Sequence, residues 1–513
     1  MNQISIKRAL ISVSDKTRVV EIAKFLDSNN VEIISTGGTY NTLKENGIKV
    51  KKVSEVTNSP EILDGRVKTL HPKIHGALLA NLDLEEHKSQ LLENGITKID
   101  LVILNLYPFE EVLKKGLGHN EMIENIDIGG PAMLRASAKN YKWTTIVTSP
   151  NQYDELISEL TNNNFKVSYE FRKKLAFFAF SLTSFYDSMI ANYFKNQLNI
   201  ESEYLNIGAR KIEDLRYGEN PIQSAAVYGE FDSIFHKLHG KELSYNNIVD
   251  IDASAKLILE FEGEKACAII KHTNPSGVGI GNNLKEAYQK AFATDNVSPF
   301  GGIFCFNAKI DLECAEEIHK IFSEVIIAPD YDDAAIELLK SKKDRRLIKV
   351  DLVKLKNSLN TEIKSVSGGF LKQDYDKALF DENNIKTVSK RKESDEEFKA
   401  MMFAWKVAKH VKSNAIVYAL KDRTLGVGAG QMSRVDSARI AREKAKQMGL
   451  DLKGSCLASD AFFPFADGLE MAADAGSTAV IQPGGSIRDN EVIEAADNHN
   501  IAMIFTGARH FKH

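Results

Sequence analysis

Short apolar runs alternate with amphipathic stretches through the first fifty residues. ALISV at 9–13 precedes a helix predicted from about Lys16, EIIS at 32–35 precedes a second after Thr39, and KVKKV closes a β-α-β-α-β rhythm. A further apolar strand, LVILNLYPF, is read as ending at Tyr107 and Pro108. From about 168 to 194 apolar residues recur at helical spacing with neither glycine nor proline, which predicts a buried helix bridging two domains. Beyond a polar, weakly patterned stretch at 199–215, strand-loop-helix units recur: AVYGE, ACAIIKHTNPSG, GGIFCFNA, EVIIAP, AIVYAL, TLGVGAGQ, SCLASD, TAVIQPGG and IAMIFTG. The charged stretch VSKRKESDEEF at 388–398 reads as an exposed connection splitting this second α/β region into two lobes, or as one exposed helix start. No repeat of fixed period stands out.

Length supports at least two domains, since 513 residues exceed the roughly 250–300 at which one core stops growing. With 66 Lys and Arg against 70 Asp and Glu, the net charge of −4 offers no general attraction for nucleic acid or an anionic membrane, so anion binding is expected to be local. The four cysteines, Cys267, Cys305, Cys314 and Cys456, form no C-x-x-C pair, which argues for reduced thiols over disulfides or a four-cysteine zinc site. The first residues lack a signal-peptide layout and no apolar run nears a membrane helix, so the chain is read as cytoplasmic.

Three segments near the N-terminus suit a phosphomonoester: Ser14-Asp15-Lys16, Thr36-Gly37-Gly38-Thr39, and the run from Arg66 through Lys68 and Thr69 to Pro72. Lysine and arginine supply charge, while hydroxyls and turn amides supply directed donors. Asp127-Ile128-Gly129-Gly130-Pro131 then leads into a helix on which Arg135 and Lys139, four apart, share a face. That spacing also fits a plain solvated face.

In the larger region Lys271 and His272 follow an apolar strand and precede Thr-Asn-Pro-Ser-Gly, read as a loop holding both side chains at a strand's carboxyl end, where open α/β sheets bind ligands. A histidine there serves either as a structural hydrogen-bonder or as a base, and an imidazole with an ordinary pKa of about 6.5 suits proton removal near neutrality. GVGAG at 426–430 is spaced G-x-G-x-G, which is not a dinucleotide loop.

Two ordered sets of motifs carry a family resemblance. SVSDK, STGGT, GRVKTLHPKIHG, NLYPF and DIGGPAMLRASAKN together resemble an inosinate cyclohydrolase domain. LRYGENP, SYNNIVDIDA, IIKHTNPSGVG, SPFGGI, EVIIAP, SNAIVY, GVGAGQMSR, FFPFADG and TGARHFKH resemble aminoimidazole carboxamide ribonucleotide (AICAR) transformylase. The chain is thus similar end to end to the bifunctional purine-biosynthesis family.

The resemblance implies an α/β fold with a methylglyoxal-synthase-like doubly wound domain and a helical bridge at 1–198 (core 1–150), then a two-lobed, cytidine-deaminase-like transformylase at 199–513. It implies formyl transfer from 10-formyltetrahydrofolate to AICAR, followed by dehydrative ring closure of the product to inosinate (IMP), in a homodimer with shared sites. For the transformylase it assigns His272 as base with Lys271 and Asn414, and Arg216, Tyr217, Gly301, Glu324, Arg434 and Arg509 as nucleotide contacts. Phe463, Phe465, Asp467, Gln482 and Pro483 would bind the folate. For the cyclohydrolase it assigns Lys139 as acid/base with Asp127 and Tyr107, and Ser14, Asp15, Lys16, Thr36, Gly37, Gly38, Thr39, Arg66, Lys68, Thr69, Asn105, Gly129 and Gly130 as substrate contacts. A zinc-deaminase signature, H-x-E followed by P-C-x-x-C, is absent, so no metal is expected in the chemistry. Two rival readings exist: a methylglyoxal synthase, which leaves 200–513 unexplained, and a nucleotide-sensing module that binds without turnover.

Overall fold

The computed structural model describes residues 3–63, 66–380 and 384–513, and the chain divides into two compact units, Met1–Ala209 and Arg210–His513. In the first, five parallel strands lie in the order Val50–Lys52, Glu32–Ser35, Arg8–Ser12, Leu101–Leu104, Thr145–Val147. Successive side chains point to opposite faces, so Ala9, Ile11, Ile33, Leu101 and Ile103 build one core while Leu10, Ile34, Val102 and Leu104 build another. The sheet is covered on both faces. The helix Tyr169–Leu198 contributes Phe171 and Leu175 to one core and Ala176, Ala179, Tyr186 and Tyr193 to the other. The segment after this helix folds back on it: Asn192 Nδ2 donates to Asn206 O at 3.2 Å, and Gly208 leaves room for the Ser188 hydroxyl. The first unit therefore runs past residue 198 to Ala209. The apolar run LVILNLYPF stops being strand at Leu104, and Asn105–Pro108 forms the loop beyond it.

The second unit is built on one twelve-stranded sheet whose two halves repeat each other. From the middle outward the first half runs Asn274–Gly281, Lys265–Lys271, Ile303–Phe306, Val325–Ala328, Arg346–Val350, Phe235–His239. The second runs Arg423–Gly428, Ile416–Leu420, Cys456–Ser459, Ala479–Gln482, Ala502–Phe505, Lys386–Thr387. Pairing directions match strand for strand: antiparallel within the hairpin, between the hairpin and the third strand, and at the outer edge, and parallel among the third, fourth and fifth strands. Helices Tyr245–Ile258 and Asp395–Ala408 share one continuous core over one face, while the other face carries two separate cores. The sequence shows no such repeat because only the pattern of elements is duplicated, not the residues. Residues 388–398 lie inside the second half: Val388 N donates to Met503 O at 2.9 Å, and Ser394 with Glu397 forms the capping box of the helix Asp395–Ala408. Of the two readings of this stretch, the structure shows the helix start, set within the second half of the sheet.

Glycines on the two central strands let helix backbones press against the sheet. A Cβ on Gly277 would stand 1.9 Å from Ala291 O, and one on Gly428 would stand 1.9 Å from Ser437 O. This accounts for the GVGAG run, whose first glycines are strand residues under the helix Arg434–Gln447. The halves are also tied by a buried charge cluster: Glu260 Oε1 meets Lys409 Nζ at 2.9 Å and His410 Nε2 at 2.9 Å. The Glu260 carboxyl is held at about 2 despite burial, by His410 and Lys409. All four cysteines are free and buried, and among the described residues no helix is long and apolar enough to cross a membrane.

Two outcomes follow. Gly428→Ala must push the helix Arg434–Gln447 off the sheet and should destabilise the chain by roughly 1–3 kcal/mol in urea denaturation; an unchanged midpoint would mean the helix moves aside freely. Burial holds the His410 imidazole at about 4, below its ordinary 6.5, so the unfolded chain takes up a proton that the folded chain refuses. Stability is present above pH 6.5 and falls toward pH 4, by roughly 2 kcal/mol between pH 7 and 5 from this group. Relative to His410→Asn, the wild type should lose about that amount over this interval.

Candidate active site

In the first unit the carboxyl ends of the parallel strands converge on one rim, where ligands of such sheets bind. Asn105, just past Leu101–Leu104, cross-links it: its Oδ1 accepts Ser14 N at 2.6 Å and Asp15 N at 3.0 Å, and its Nδ2 donates to Asp15 O at 2.9 Å. Those two turn amides, expected to face an anion, are therefore spent on Asn105. The Asp15 carboxylate likewise accepts Thr17 N at 2.9 Å. Thr36 Oγ1 pairs with Ser12 Oγ at 2.8 Å, and buried Thr39 Oγ1 bonds both Val13 N and Val13 O at 3.1 and 3.0 Å, so both hydroxyls act as struts.

These struts leave the start of the helix Gly37–Glu45 without a side-chain cap, and two ammonium groups stand over it. A Cβ on Gly38 would meet Lys16 Nζ at 3.7 Å, and one on Gly37, whose φ is +43°, would meet Lys68 Nζ at 3.5 Å. Open amides at a helix start with two cations beside them suit a phosphate dianion.

Next to this, Asp127 Oδ1 accepts Gly130 N at 2.8 Å, and the Asp127 carboxyl also takes the Tyr107 amide. Glycine is required here: a Cβ on Gly130 would lie 2.8 Å from Leu106 Cδ2 and in collision with the Asp127 carboxylate, and one on Gly129 would lie 2.7 Å from Thr69 Oγ1. Burial raises the Asp127 carboxyl above the ordinary range, against the pull of the Gly130 and Tyr107 amides and Lys68. Tyr186, which sequence reading saw only as bridge, accepts Asp127 N at 2.8 Å. The Tyr107 ring is half-exposed beside this cluster.

Two expected members stand apart. Arg66 is exposed and pairs with Glu124. Lys139 closes the helix that Gly129 opens, about 15 Å along the axis at ~1.5 Å per residue, and is exposed.

In the second unit Lys271 and Asn274 pair across a two-residue hairpin turn with His272 at φ +53° and Thr273 at φ +62°. Thr273 to Gly277 were expected as loop, yet Asn274 already begins the next strand. Lys271 Nζ donates to Phe300 O at 2.8 Å beside Gly301, whose φ is +69° and whose N donates to Phe322 O at 2.8 Å. Glu324 receives Asn247 Nδ2 at 3.0 Å and Arg346 Nη1 at 3.3 Å, two partners that sequence reading missed. Arg216 stacks on Tyr217 at 5.7 Å, and Asn246 Nδ2 ties their loop to the first turn of the helix Tyr245–Ile258 through Glu219 O at 3.3 Å.

The hairpin meets the other half through Lys412 N, which donates to Asn274 Oδ1 at 2.9 Å. Asn414 follows directly. Its Nδ2 donates to Gln431 O at 2.8 Å, which leaves its second amide hydrogen for a ligand. Arg509 and Arg434 both lie over the Phe511 ring, at 4.3 and 5.8 Å, and burial lowers the Arg434 pKa. Two guanidiniums on one ring form a second anion-suited group, invisible in sequence because Phe511 joins segments far apart in the chain. Of the expected folate residues, Phe463, Gln482 and Pro483 are buried, and Phe463 N donates to Gln482 Oε1 at 2.8 Å. Phe465 and Asp467 face outward, with Arg488 4.7 Å over the Phe465 ring.

An α/β chain with lysines over an open helix start in one unit, and a histidine-bearing hairpin with clustered arginines in the other, has the form of an enzyme acting on phosphorylated small molecules. Residues 137–444 match the family described as AICARFT/IMPCHase bienzyme, and residues 18–132 match an MGS-like domain. Proteins named bifunctional purine biosynthesis protein PurH are similar over the whole chain: 52% identical in Chlorobium phaeobacteroides and in Chlorobaculum parvum, covering 100% of each, and 51% in Rhizobium rhizogenes, covering 98% of that protein.

The chain belongs to the AICARFT/IMPCHase bienzyme family. It is a bifunctional enzyme of the final steps of de novo purine synthesis, AICAR formyltransferase and IMP cyclohydrolase, using a formyl donor and nucleotide intermediates. Loss of a charged hydrogen bond to phosphate removes roughly 1.5–3 kcal/mol. Lys68→Ala should therefore raise the inosinate concentration that half-inhibits cyclisation by roughly 10- to 100-fold; an unchanged value would detach this lysine from the site.

Proposed function

We propose that residues 210–513 transfer the formyl group and residues 1–209 close the ring. The observation that carries this reading is the His272 hairpin, which the Asn274–Lys412 bond of 2.9 Å brings beside Asn414. The donor is 10-formyltetrahydrofolate, and no metal takes part in the chemistry. As the 5-amine nitrogen of AICAR bonds to the formyl carbon, His272 accepts the amine proton. The free hydrogen of Asn414 Nδ2 faces the oxygen of the tetrahedral state, and Lys271 steadies its charge. As the carbon–N10 bond breaks, N10 takes the proton back from His272 and tetrahydrofolate is released. Arg434, Arg509 and Arg216 take the phosphate, Glu324 a ribose hydroxyl, and the exposed Phe465 face with Asp467 one side of the pterin.

Ring closure joins the carboxamide nitrogen to the formyl carbon with loss of water, so holding the two groups in contact supplies much of the rate. Lys16, Lys68 and the open amides of the helix Gly37–Glu45 hold the phosphate, and Lys68, Tyr107 and Asp127 orient the reacting groups. Burial raises the Asp127 carboxyl and suits it to holding a proton. Lys139, at the exposed end of its helix, serves only if two chains share their sites. Phe177, Phe178 and Phe180, exposed on the helix Tyr169–Leu198, support a homodimer. Four reduced, buried cysteines support a cytoplasmic enzyme.

The test is an absorbance assay of the purified chain with AICAR and 10-formyltetrahydrofolate, following tetrahydrofolate and inosinate together. Both should appear, and His272→Ala should lower formyl transfer by roughly 100-fold or more while leaving cyclisation of supplied formyl-AICAR intact. Loss of both activities in this variant would count against separate sites, and binding without turnover would favour the sensing module.

A further inference from the structure

His272 sits in an unfavourable place for its residue type. The two-residue turn Lys271–Asn274 needs left-handed backbone at both central positions, a geometry that favours Asn-Gly, yet here it is filled by His272 at φ +53° and Thr273 at φ +62°. A β-branched residue in that region is a genuine outlier, and such strain persists only where surrounding groups hold it. Two bonds come from within the turn: Thr273 Oγ1 donates to His272 O at 2.7 Å and Asn274 Nδ2 to the same oxygen at 3.1 Å. Two more come from elsewhere. Asp250, on the helix Tyr245–Ile258, accepts Thr273 N at 2.6 Å, and its carboxyl also takes the His272 amide.

We propose that Asp250 is a positioning residue for formyl transfer: its carboxylate clamps both amides of the His272–Thr273 turn and so sets where the His272 imidazole stands. The helix that carries the clamp also carries Asn247, one turn earlier and on the same face, bonded to Glu324 at 3.0 Å. One rigid face thus fixes the base and a nucleotide contact in register. The titratable groups beside the Asp250 carboxyl are His272 and Glu324. This inference rests on the assignment of His272 as the base.

The experiment compares Asp250→Asn, Asp250→Glu and Thr273→Gly, alone and combined, with His272→Ala, in the full-length chain. Asp250→Asn should lower kcat for formyl transfer roughly 100-fold, with KM for AICAR within about 3-fold and cyclisation unchanged. Asp250→Glu should recover part of the loss. Thr273→Gly, which relieves the left-handed strain, should recover at least about 10-fold when added to Asp250→Asn. In the His272→Ala background, Asp250→Asn should have no further effect. A kcat within 2-fold of wild type, a loss carried by KM alone, or no recovery from Thr273→Gly would overturn the inference. If Asp250→Asn does not fold, kcat of Asp250→Glu decides: lowered at unchanged KM upholds the clamp, and wild-type kcat removes it. If His272→Ala itself retains formyl transfer, the assignment of His272 fails instead, independently of Asp250.

Discussion

The close approach of helix backbone to the two central strands of the large sheet is the constraint on which the second unit depends. Gly277 and Gly279 lie under the helix Leu284–Thr294, and Gly426 and Gly428 under Arg434–Gln447, with no room for a Cβ at any of the four. Because the strands are pressed so closely, the halves can join edge to edge: Val278 N reaches Thr424 Oγ1 at 2.9 Å, and Ile280 N reaches Asp422 O at 2.9 Å. A bulkier residue at Gly426 or Gly428 would lift the helix Arg434–Gln447 and with it its first residue, Arg434.

That junction converts a duplicated scaffold into an asymmetric site. Each half makes the same hairpin, but only the first half's turn carries Lys271 and His272, while the second half supplies Asn414, Arg434 and Arg509. The candidate groups are thereby divided between two copies of one architecture, and the sheet that joins them sets their separation. The buried Glu260, Lys409 and His410 cluster locks the same arrangement from the opposite core. Removing any one partner would leave buried charge or a buried donor unmet, a heavier penalty than the net value of the pair.

The first unit reaches an anion site by different means. Its turns do not simply point their amides and hydroxyls at a ligand. Asn105, Thr36 and Thr39 consume many of those groups in tying strand ends together, and the rigidity so obtained leaves one helix start open with Lys16 and Lys68 over it. Residue types that suit phosphate thus divide into a few that can touch it and a larger number that hold those few in place.

Hydrophobic periodicity was enough to read the alternating strands and helices, because burial on one or both faces of a sheet imposes a pattern that survives in a single chain. Ordered motifs such as LHPKIHG, KHTNPSG and FFPFADG were enough to reach the family. Which of these side chains are already bonded within the fold was decided only by tertiary structure. Thr39 and Gln482 are of a type to bind and are bonded internally, while Asp250, Asn247 and Tyr186, on helices, bond Thr273 N, Glu324 and Asp127 N. The physical reason is that a hydrogen bond partner is chosen by distance in space, and strand order, the internal repeat and the pairing of Arg434 with Arg509 over Phe511 arise from contacts between segments that the linear order does not relate.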